Sequence, residues 1–229
     1  MKNITLDAAI NFQEIFLHDE VLSPYEFVDS WETYHPLVII GEIGTLINNR
    51  CKSVRSPNEY AHDIENDCAD IFISLLILGM LIERETRYRV FSGIKKEWKT
   101  PAKGLKDEES LIKEMEALIS KTFLLTKAGK EKYYTADFFL RLFRSMKEIS
   151  AYASGKSWQD IMNTFHADTL EQLTSFERYT PDLWYRGSCF VHFGKLLFWL
   201  QQNEVRLPQK RILFLERMRS LQEQSMPEA

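Results

Sequence analysis

Apolar side chains recur along most of the chain at the three- and four-residue spacing of amphipathic helices, and no segment keeps the two-residue period of a strand. Only nine glycines and seven prolines interrupt the 229 residues, so long helices are favoured. We therefore expect an all-α protein, a multi-helix bundle in a single domain spanning residues 1–229. Besides a central pair, the predicted helices cover residues 6–18, 107–122, 134–153, 158–178, 182–203 and 208–224.

The central pair is a helical hairpin between His35 and Glu83, and we expect the bundle to be built around it. Its first helix carries the sequence HPLVIIGEIGTLINNRCK and its second AHDIENDCADIFISLLILGMLIE, with a polar turn between them. Both helices carry acids close to their apolar faces, where an ordinary hairpin would carry only apolar residues. These acids need a physical explanation.

The second helix of the hairpin places its acids on one stripe. Asp63, Asp67 and Asp70 stand at positions i, i+4 and i+7, which lie within about 40° of one line along a helix. The same line continues through Ser74 into a segment that is apolar nearly all round. The acidic stripe is therefore predicted to enter the core.

A buried, ionised carboxylate costs several kcal/mol unless a partner compensates it. Hard divalent cations such as Mg²⁺ are suitable partners, because they prefer carboxylate oxygens. Antiparallel closure of the hairpin brings Glu42 of the first helix towards Asp67 and Asp70. Two interpretations stay open at this point. Either these acids form a metal-binding carboxylate cluster, or Asp63 and Asp67 are solvated while Glu42 pairs with a basic residue.

Composition excludes several classes of function. The net charge of −4 provides no basic field for nucleic acid. The three cysteines are widely spaced and form no CxxC pair, which argues against a zinc site or a disulfide framework and favours a cytoplasmic location. The longest mainly apolar run, residues 71–82, is shorter than the roughly 20 residues that a membrane-spanning helix needs. We expect no membrane partner.

Most familiar catalytic motifs are also absent. The sequence has no GxxxxGK[ST] or GxGxxG loop to hold phosphates, no GxSxG nucleophile and no HExxH zinc pair. His62 and Asp63 form an HD dipeptide, but the further His and Asp of such a site cannot be placed. Metal-assisted hydrolysis by carboxylates fits the residues better, since it needs only acids that hold one or two Mg²⁺ ions.

The segment at residues 84–110 is polar and lysine-rich, and it is punctuated by Gly93, Pro101 and Gly104. This composition predicts a loop or flexible arm. Its lysines either approach a polyphosphate or form a solvated surface.

A weak internal similarity relates two parts of the chain. GEIGTLIN at residues 41–48 resembles KEMEALIS at 113–120, and CADIFISLL at 68–76 resembles TADFFLRLF at 135–143. A degenerate internal repeat of the hairpin would explain both similarities.

The pairing of GEIGTLIN with ENDCADIFISLLI resembles the all-α nucleoside triphosphate pyrophosphohydrolases, the MazG-like and dimeric dUTPase group, whose signature is ExxE followed by ExxD. The layout is most similar to the dimeric dUTPases over residues 6–182, with residues 183–229 as added C-terminal helices. The resemblance implies Mg²⁺-dependent, or Mn²⁺-dependent, cleavage of a (deoxy)nucleoside triphosphate to the monophosphate and pyrophosphate. It also implies a homodimer.

The resemblance assigns roles residue by residue. Glu42 takes the first acid of ExxE, and Asp67 and Asp70 take the two acids of ExxD, so these three are the implied metal ligands and catalytic residues. The implied substrate-binding residues are Gln13 for the base, His18 where an Asn is usual, Trp31 beside the base, and Arg178 for phosphate. Asp137 corresponds to Asp70 in the degenerate repeat.

Several positions depart from the family pattern. The second acid of ExxE is Thr45, Asp67 replaces a Glu, and Glu171 and Ser175 stand where a Lys and an Asn are usual. Two hypotheses follow. The site is rearranged to use Asp63 or Glu65 and hydrolyses a nucleoside triphosphate, or the chain is a catalytically degenerate member that acts as a nucleotide-binding or protein-interaction module.

Overall fold

The computed structural model describes residues 4–15, 31–56, 58–174 and 192–225. Within these ranges it contains nine α-helices and no strand, which confirms the all-α prediction. The helices are α1 (Leu6–Gln13), α2 (Trp31–Ser53), α3 (Ala61–Glu85), α4 (Phe91–Glu97), α5 (Glu108–Leu124), α6 (Ala136–Ser154), α7 (Trp158–Thr174), α8 (Phe193–Gln202) and α9 (Gln209–Ser225). A short 3₁₀ helix, Lys130–Tyr133, precedes α6.

The chain groups into two compact units. The larger unit comprises residues 24–165, and the smaller one comprises residues 1–23 together with 166–229. The expectation of a single domain stays a prediction. In the part of the chain that the structure describes, no helix is long and apolar enough to cross a membrane.

The larger unit is a helical bundle centred on α3 and α6. Helix α3 packs most extensively on α2, and α6 packs on α3, α4 and α5. A group of aromatic rings fills the space between them, with the rings of Trp98 and Trp158 4.0 Å apart and that of Phe143 stacked 5.6 Å from Trp98. Such aromatic contacts add to the free energy gained by burying the rings.

Local sequence signals set the helix ends in this unit. The Thr135 hydroxyl accepts a hydrogen bond from the backbone N–H of Phe138 and so begins α6. Gly155 ends the same helix with φ of 69°, a left-handed conformation that favours glycine. The Ser157 hydroxyl then accepts from the Asp160 N–H at the start of α7. The predicted stop at Gly155 and start at Ser157 are confirmed.

The prediction of a loop over residues 84–110 is wrong in part, because α4 forms within it. Phe91, Ile94 and Trp98 are buried at helical spacing and anchor α4 in the core. The fully buried Lys147 of α6 donates to the Thr100 carbonyl at 2.7 Å, which fixes the chain after α4. These contacts come from residues far along the chain, so the local composition of the segment did not reveal them.

The smaller unit contains α1, α8, α9 and the C-terminal part of α7. Helix α1 ends at Gln13, earlier than the predicted end at residue 18. The indole N–H of Trp199 in α8 donates to the Ala8 carbonyl of α1 at 2.8 Å, and its ring lies 4.8 Å from that of Phe12. Buried aromatic and hydrogen-bonding contacts thus hold α1 against α8.

Each copy of the proposed repeat lies on a pair of helices that pack on each other, α2 with α3 and α5 with α6. Residues 41–48 and 68–76 belong to α2 and α3, while residues 113–120 and 135–143 fall on α5 and α6. The repeat itself stays a prediction.

We predict opposite effects of alanine at two helical glycines. A Cβ at Gly93 of α4 would lie 2.8 Å from the Ala136 carbonyl oxygen, so α4 and α6 would have to separate. Gly93→Ala should lower the free energy of unfolding by about 1–3 kcal/mol. A Cβ at Gly44 of α2 meets nothing within 4 Å, and Gly44→Ala should raise the stability by about 1 kcal/mol through helix propensity.

Urea unfolding followed by circular dichroism measures both changes. A similar gain in stability for the two variants would contradict the close contact between α4 and α6.

Candidate carboxylate site

The acids of the hairpin face each other across α2 and α3. Along α2, Glu42 and Asn49 stand seven residues apart and so share one face of the helix. Asn49 contacts Asp67, and the earlier Glu42 interacts electrostatically with the later Asp70, so the two helices run antiparallel. The predicted closure of the hairpin therefore brings the three carboxylates together.

One hydrogen bond fixes the centre of this group. The side-chain amide of Asn49 donates from Nδ2 to Oδ2 of Asp67 at 2.9 Å. Asp67 is only 6% exposed, so little water solvates its carboxylate. The amide compensates part of that loss and holds the Asp67 side chain on the side of α3 that faces α2.

The electrostatics of the site are those of crowded like charges. Burial, and after it the charges of Glu42 and Asp67, together raise the pKa of Asp70 to about 6. The pKa of Glu42 is raised by burial and by the charge of Asp67. Each carboxylate is thus close enough to disfavour ionisation of another.

Asp67 itself is subject to opposing effects. Burial raises its pKa, the hydrogen bond from Asn49 lowers it, the charge of Asp63 raises it, and the charge of Lys52 lowers it. The net direction is upwards. Asp67 therefore carries an electrostatic cost even with its amide partner in place. We call Glu42, Asp67 and Asp70 the carboxylate cluster.

The position of the second acid of ExxE is occupied by Thr45 and is exposed to solvent. Thr45 lies three residues after Glu42 on α2 and is exposed. Its hydroxyl donates to the Gly41 carbonyl of the preceding turn at 3.3 Å. Thr45 therefore contributes no charge to the cluster, and nothing in its own hydrogen bonding reaches across to α3.

Two other acids of α3, Glu65 and Asp63, are candidates to replace the second acid of ExxE. The carboxylate of Glu65 lies 2.7 Å from Nζ of Lys156, in the turn between α6 and α7, and forms an ion pair with it. Its charge is therefore already compensated. Asp63 is exposed one turn before Asp67 and acts on it electrostatically, so Asp63 is the better placed of the two.

The donor set fits a hard divalent cation chemically, because carboxylate and amide oxygens are the ligands that Mg²⁺ prefers. In the described ranges, no three or more His, Cys, Asp or Glu side chains form a group that could hold a metal ion. Mg²⁺ rarely requires such a group, since it commonly binds through one or two carboxylates and completes its coordination with water and substrate phosphates. The mutual repulsion of Asp70 with Glu42 and Asp67 is what a bound cation would relieve.

The side chains assigned to substrate by resemblance belong to the smaller unit or fall outside the described ranges. Gln13 belongs to α1 of the smaller unit and is 4% exposed, and its Nε2 has no hydrogen-bond partner in the part of the chain that the structure describes. Trp31 begins α2, but its side chain falls outside that part, as do His18 and Arg178. Their roles stay predictions.

The resemblance also singles out Glu171 and Ser175, which depart from the family pattern, and Asp137, which corresponds to Asp70 in the repeat. Glu171 in α7 is engaged by the guanidinium of Arg211 in α9, which lowers the pKa of Glu171 through a hydrogen bond. Its negative charge is therefore compensated within the smaller unit. Asp137 is exposed and pairs with Arg141 one turn later in α6. Ser175 lies outside the described residues.

Sequence reasoning missed two residues on the same face of α2. Asn49 was overlooked although its spacing of seven from Glu42 was visible. His35, seven residues before Glu42, is 6% exposed, and burial lowers its pKa to about 4. His35 is therefore neutral near pH 7. The hydrogen bond from Asn49 to Asp67 depends on how α2 faces α3, which the spacing along α2 does not reveal.

Comparison of the chain with protein-family models, curated proteins and solved structures finds no match. The candidate site therefore stands on its own geometry and on the motif resemblance.

We predict that Asp70→Asn stabilises the metal-free protein at neutral pH. Because the pKa of Asp70 is raised from 3.8 to about 6, the folded state binds more protons than the unfolded state between these values. The stability of the wild type should fall as the pH rises from about 4 to about 6, and an Asn removes this decline. The gain at about pH 7.5 is at most about 3 kcal/mol, reduced by the partial exposure of Asp70.

Thermal unfolding in EDTA at about pH 4 and about pH 7.5 tests this prediction. Asp137→Asn, which removes an equal charge from the surface, should show no comparable gain at the higher pH. The prediction fails if Asp70→Asn is no more stable than the wild type at about pH 7.5.

Proposed function

We propose that this chain is a Mg²⁺-dependent pyrophosphohydrolase that converts (deoxy)nucleoside triphosphates to the monophosphate and pyrophosphate. The observation that carries the proposal is the carboxylate cluster, in which burial and the charges of Glu42 and Asp67 raise the pKa of the half-buried Asp70. Perturbed acids of this kind concentrate at functional sites. The resemblance of the two helices to the ExxE and ExxD motifs supports the same activity.

A stability role explains the cluster poorly. Three crowded carboxylates disfavour the folded state near neutral pH, since burial and like charges raise the pKa values of Glu42, Asp67 and Asp70 alike. A chain that keeps such a cost gains from it only if a ligand uses the charges. A polyphosphate alone would be repelled, so the ligand must include a cation.

In the proposed reaction, one or two of Glu42, Asp67 and Asp70 would hold the metal, and water and substrate phosphates would complete its coordination. Mg²⁺ in such sites neutralises charge on phosphoryl oxygens and activates water. Asn49 acts through Asp67, because its amide fixes the orientation of that carboxylate. The apolar α2 residues beside Glu42, Ile39 and Ile43, are at most 1% exposed and keep the helix face rigid.

A second candidate function is supported by Thr45. It leaves the cluster one carboxylate short of the family pattern, and its hydroxyl is directed to its own helix. With weakened metal binding, the fold would act as a nucleotide-binding or protein-interaction module without turnover. Calorimetry with nucleotides distinguishes this candidate, since it expects binding without pyrophosphate release.

We predict pyrophosphate release from at least one member of a panel of NTPs and dNTPs with Mg²⁺ or Mn²⁺. Asp70→Asn should lower kcat/KM by at least about 100-fold, because it removes a charged metal ligand. The matched control is Asp137→Asn, which alters an exposed acid paired with Arg141 and should keep full activity. Absence of turnover with every nucleotide and both metals would refute the hydrolase proposal.

We also predict that Thr45→Glu strengthens metal binding. Residue 45 is exposed on α2 next to the turn that carries Glu42, so a longer acid can be accommodated there. The added carboxylate should lower the Mg²⁺ concentration needed for half-maximal thermal stabilisation by about tenfold. Thr45→Gln matches it in size without the charge and should resemble the wild type. Equal effects of Glu and Gln would place residue 45 outside the metal site.

A further inference from the structure

The turn between α2 and α3 forms an open pocket beside the carboxylate cluster. The pocket has a volume of about 350 Å³. Its lining, which we call the basic pocket, consists of Cys51, Lys52, Arg55, Ser56 and Tyr60. Two cations, a hydroxyl and a phenol thus border one concave surface.

Within the described residues, the two cations of the basic pocket are not bound directly to acids. Nζ of Lys52 lies 5.6 Å from the centre of the Tyr60 ring, a cation–π contact. In the described part of the chain, neither Lys52 nor Arg55 forms an ion pair. Arg50 in the same turn of α2 differs, because its guanidinium pairs with Glu108 at 3.3 Å. The positive charge of the pocket is therefore available to a ligand.

The helix terminus does not account for both cations. Basic residues often stand at the end of a helix, where they compensate its carbonyl groups. Here the backbone N–H groups of Arg55 and Ser56 both donate to the Lys52 carbonyl, at 2.9 and 3.3 Å. Arg55 also lies beyond Ser53, the last residue of α2. The same hydrogen bonds fix the turn and hold Arg55 close to Lys52.

The basic pocket and the carboxylate cluster are electrostatic neighbours. The charge of Lys52 acts on Asp67, whose carboxylate belongs to the cluster. Asp67 accepts from Asn49, which lies three residues before Lys52 on α2. The hairpin thus presents negative charge along its facing stripes and positive charge at its turn. A ligand that combines a cation with an oxyanion matches this order of charges.

We propose that the basic pocket binds a phosphate group of a polyphosphate chain. Arg55 supplies a forked guanidinium that suits a phosphate, Lys52 supplies a point charge, and the Ser56 hydroxyl supplies a further donor. The identification of the ligand as a polyphosphate rests on the proposed function, whereas the anion selectivity of the pocket rests on its lining alone.

Inorganic tripolyphosphate in EDTA tests the pocket without metal chemistry. Isothermal titration should show binding to the wild-type protein that weakens about tenfold or more in Lys52→Gln/Arg55→Gln. The matched control is Lys106→Gln/Lys127→Gln, which removes two exposed cations of the same unit that do not line the pocket and should bind as the wild type does. Equal affinity in the two double variants would overturn the proposal, as would the absence of binding to the wild type.

Two further arms separate the source of the phosphate and the two proposals. A raised KM for Mg²⁺–nucleotide in the pocket variant identifies the phosphate as part of the nucleotide, and an unchanged KM with lost tripolyphosphate binding identifies free polyphosphate. Asp70→Asn should keep tripolyphosphate binding in EDTA, because Asp70 is not part of the pocket. Tripolyphosphate binding without nucleotide turnover would support the pocket and refute the hydrolase. Turnover with no loss of tripolyphosphate binding in the pocket variant would support the hydrolase and refute the pocket.

Discussion

Repulsion among three carboxylates on facing helices is the constraint on which the site depends. Burial and neighbouring charge bring the pKa of Asp70 to about 6, so the metal-free protein carries an electrostatic cost near neutrality. The Asn49 amide relieves only the Asp67 part of that cost. An apolar hairpin of the same length would avoid it entirely. The cation of the proposed function would relieve the remainder of this cost.

The rest of the larger unit keeps these charges in place. Helix α3 is buried along most of its length after Asp67, and α6 packs against it with aromatic side chains such as Phe143. The buried Lys147 ties the segment after α4 to α6. A cluster of like charges relaxes by moving apart unless its helices are held, and this packing prevents the movement.

Charge order along the hairpin links the two proposals. The cluster is negative, while the turn between the helices carries Lys52 and Arg55 without acidic partners in the described residues. Lys52 acts on Asp67, so the two regions influence each other. Other charges are compensated by ion pairs, as for Glu65 with Lys156 and Glu171 with Arg211. The cluster and the pocket are not compensated in this way by pairs in the described residues, and their charges are those that the proposed metal and phosphate would use.

The sequence by itself determined the all-α class, the hairpin, the acidic stripe of α3 and the helix ends at Gly155 and Ser157, because periodicity and capping are local properties of the chain. Tertiary structure alone decided that α4 forms, since its anchor is the distant core. It also decided that Asn49 meets Asp67, that Glu65 is paired, and that two cations border a pocket at the turn. Each of these depends on which side chain of one helix faces which side chain of another. Residue spacing within a single helix does not determine those contacts.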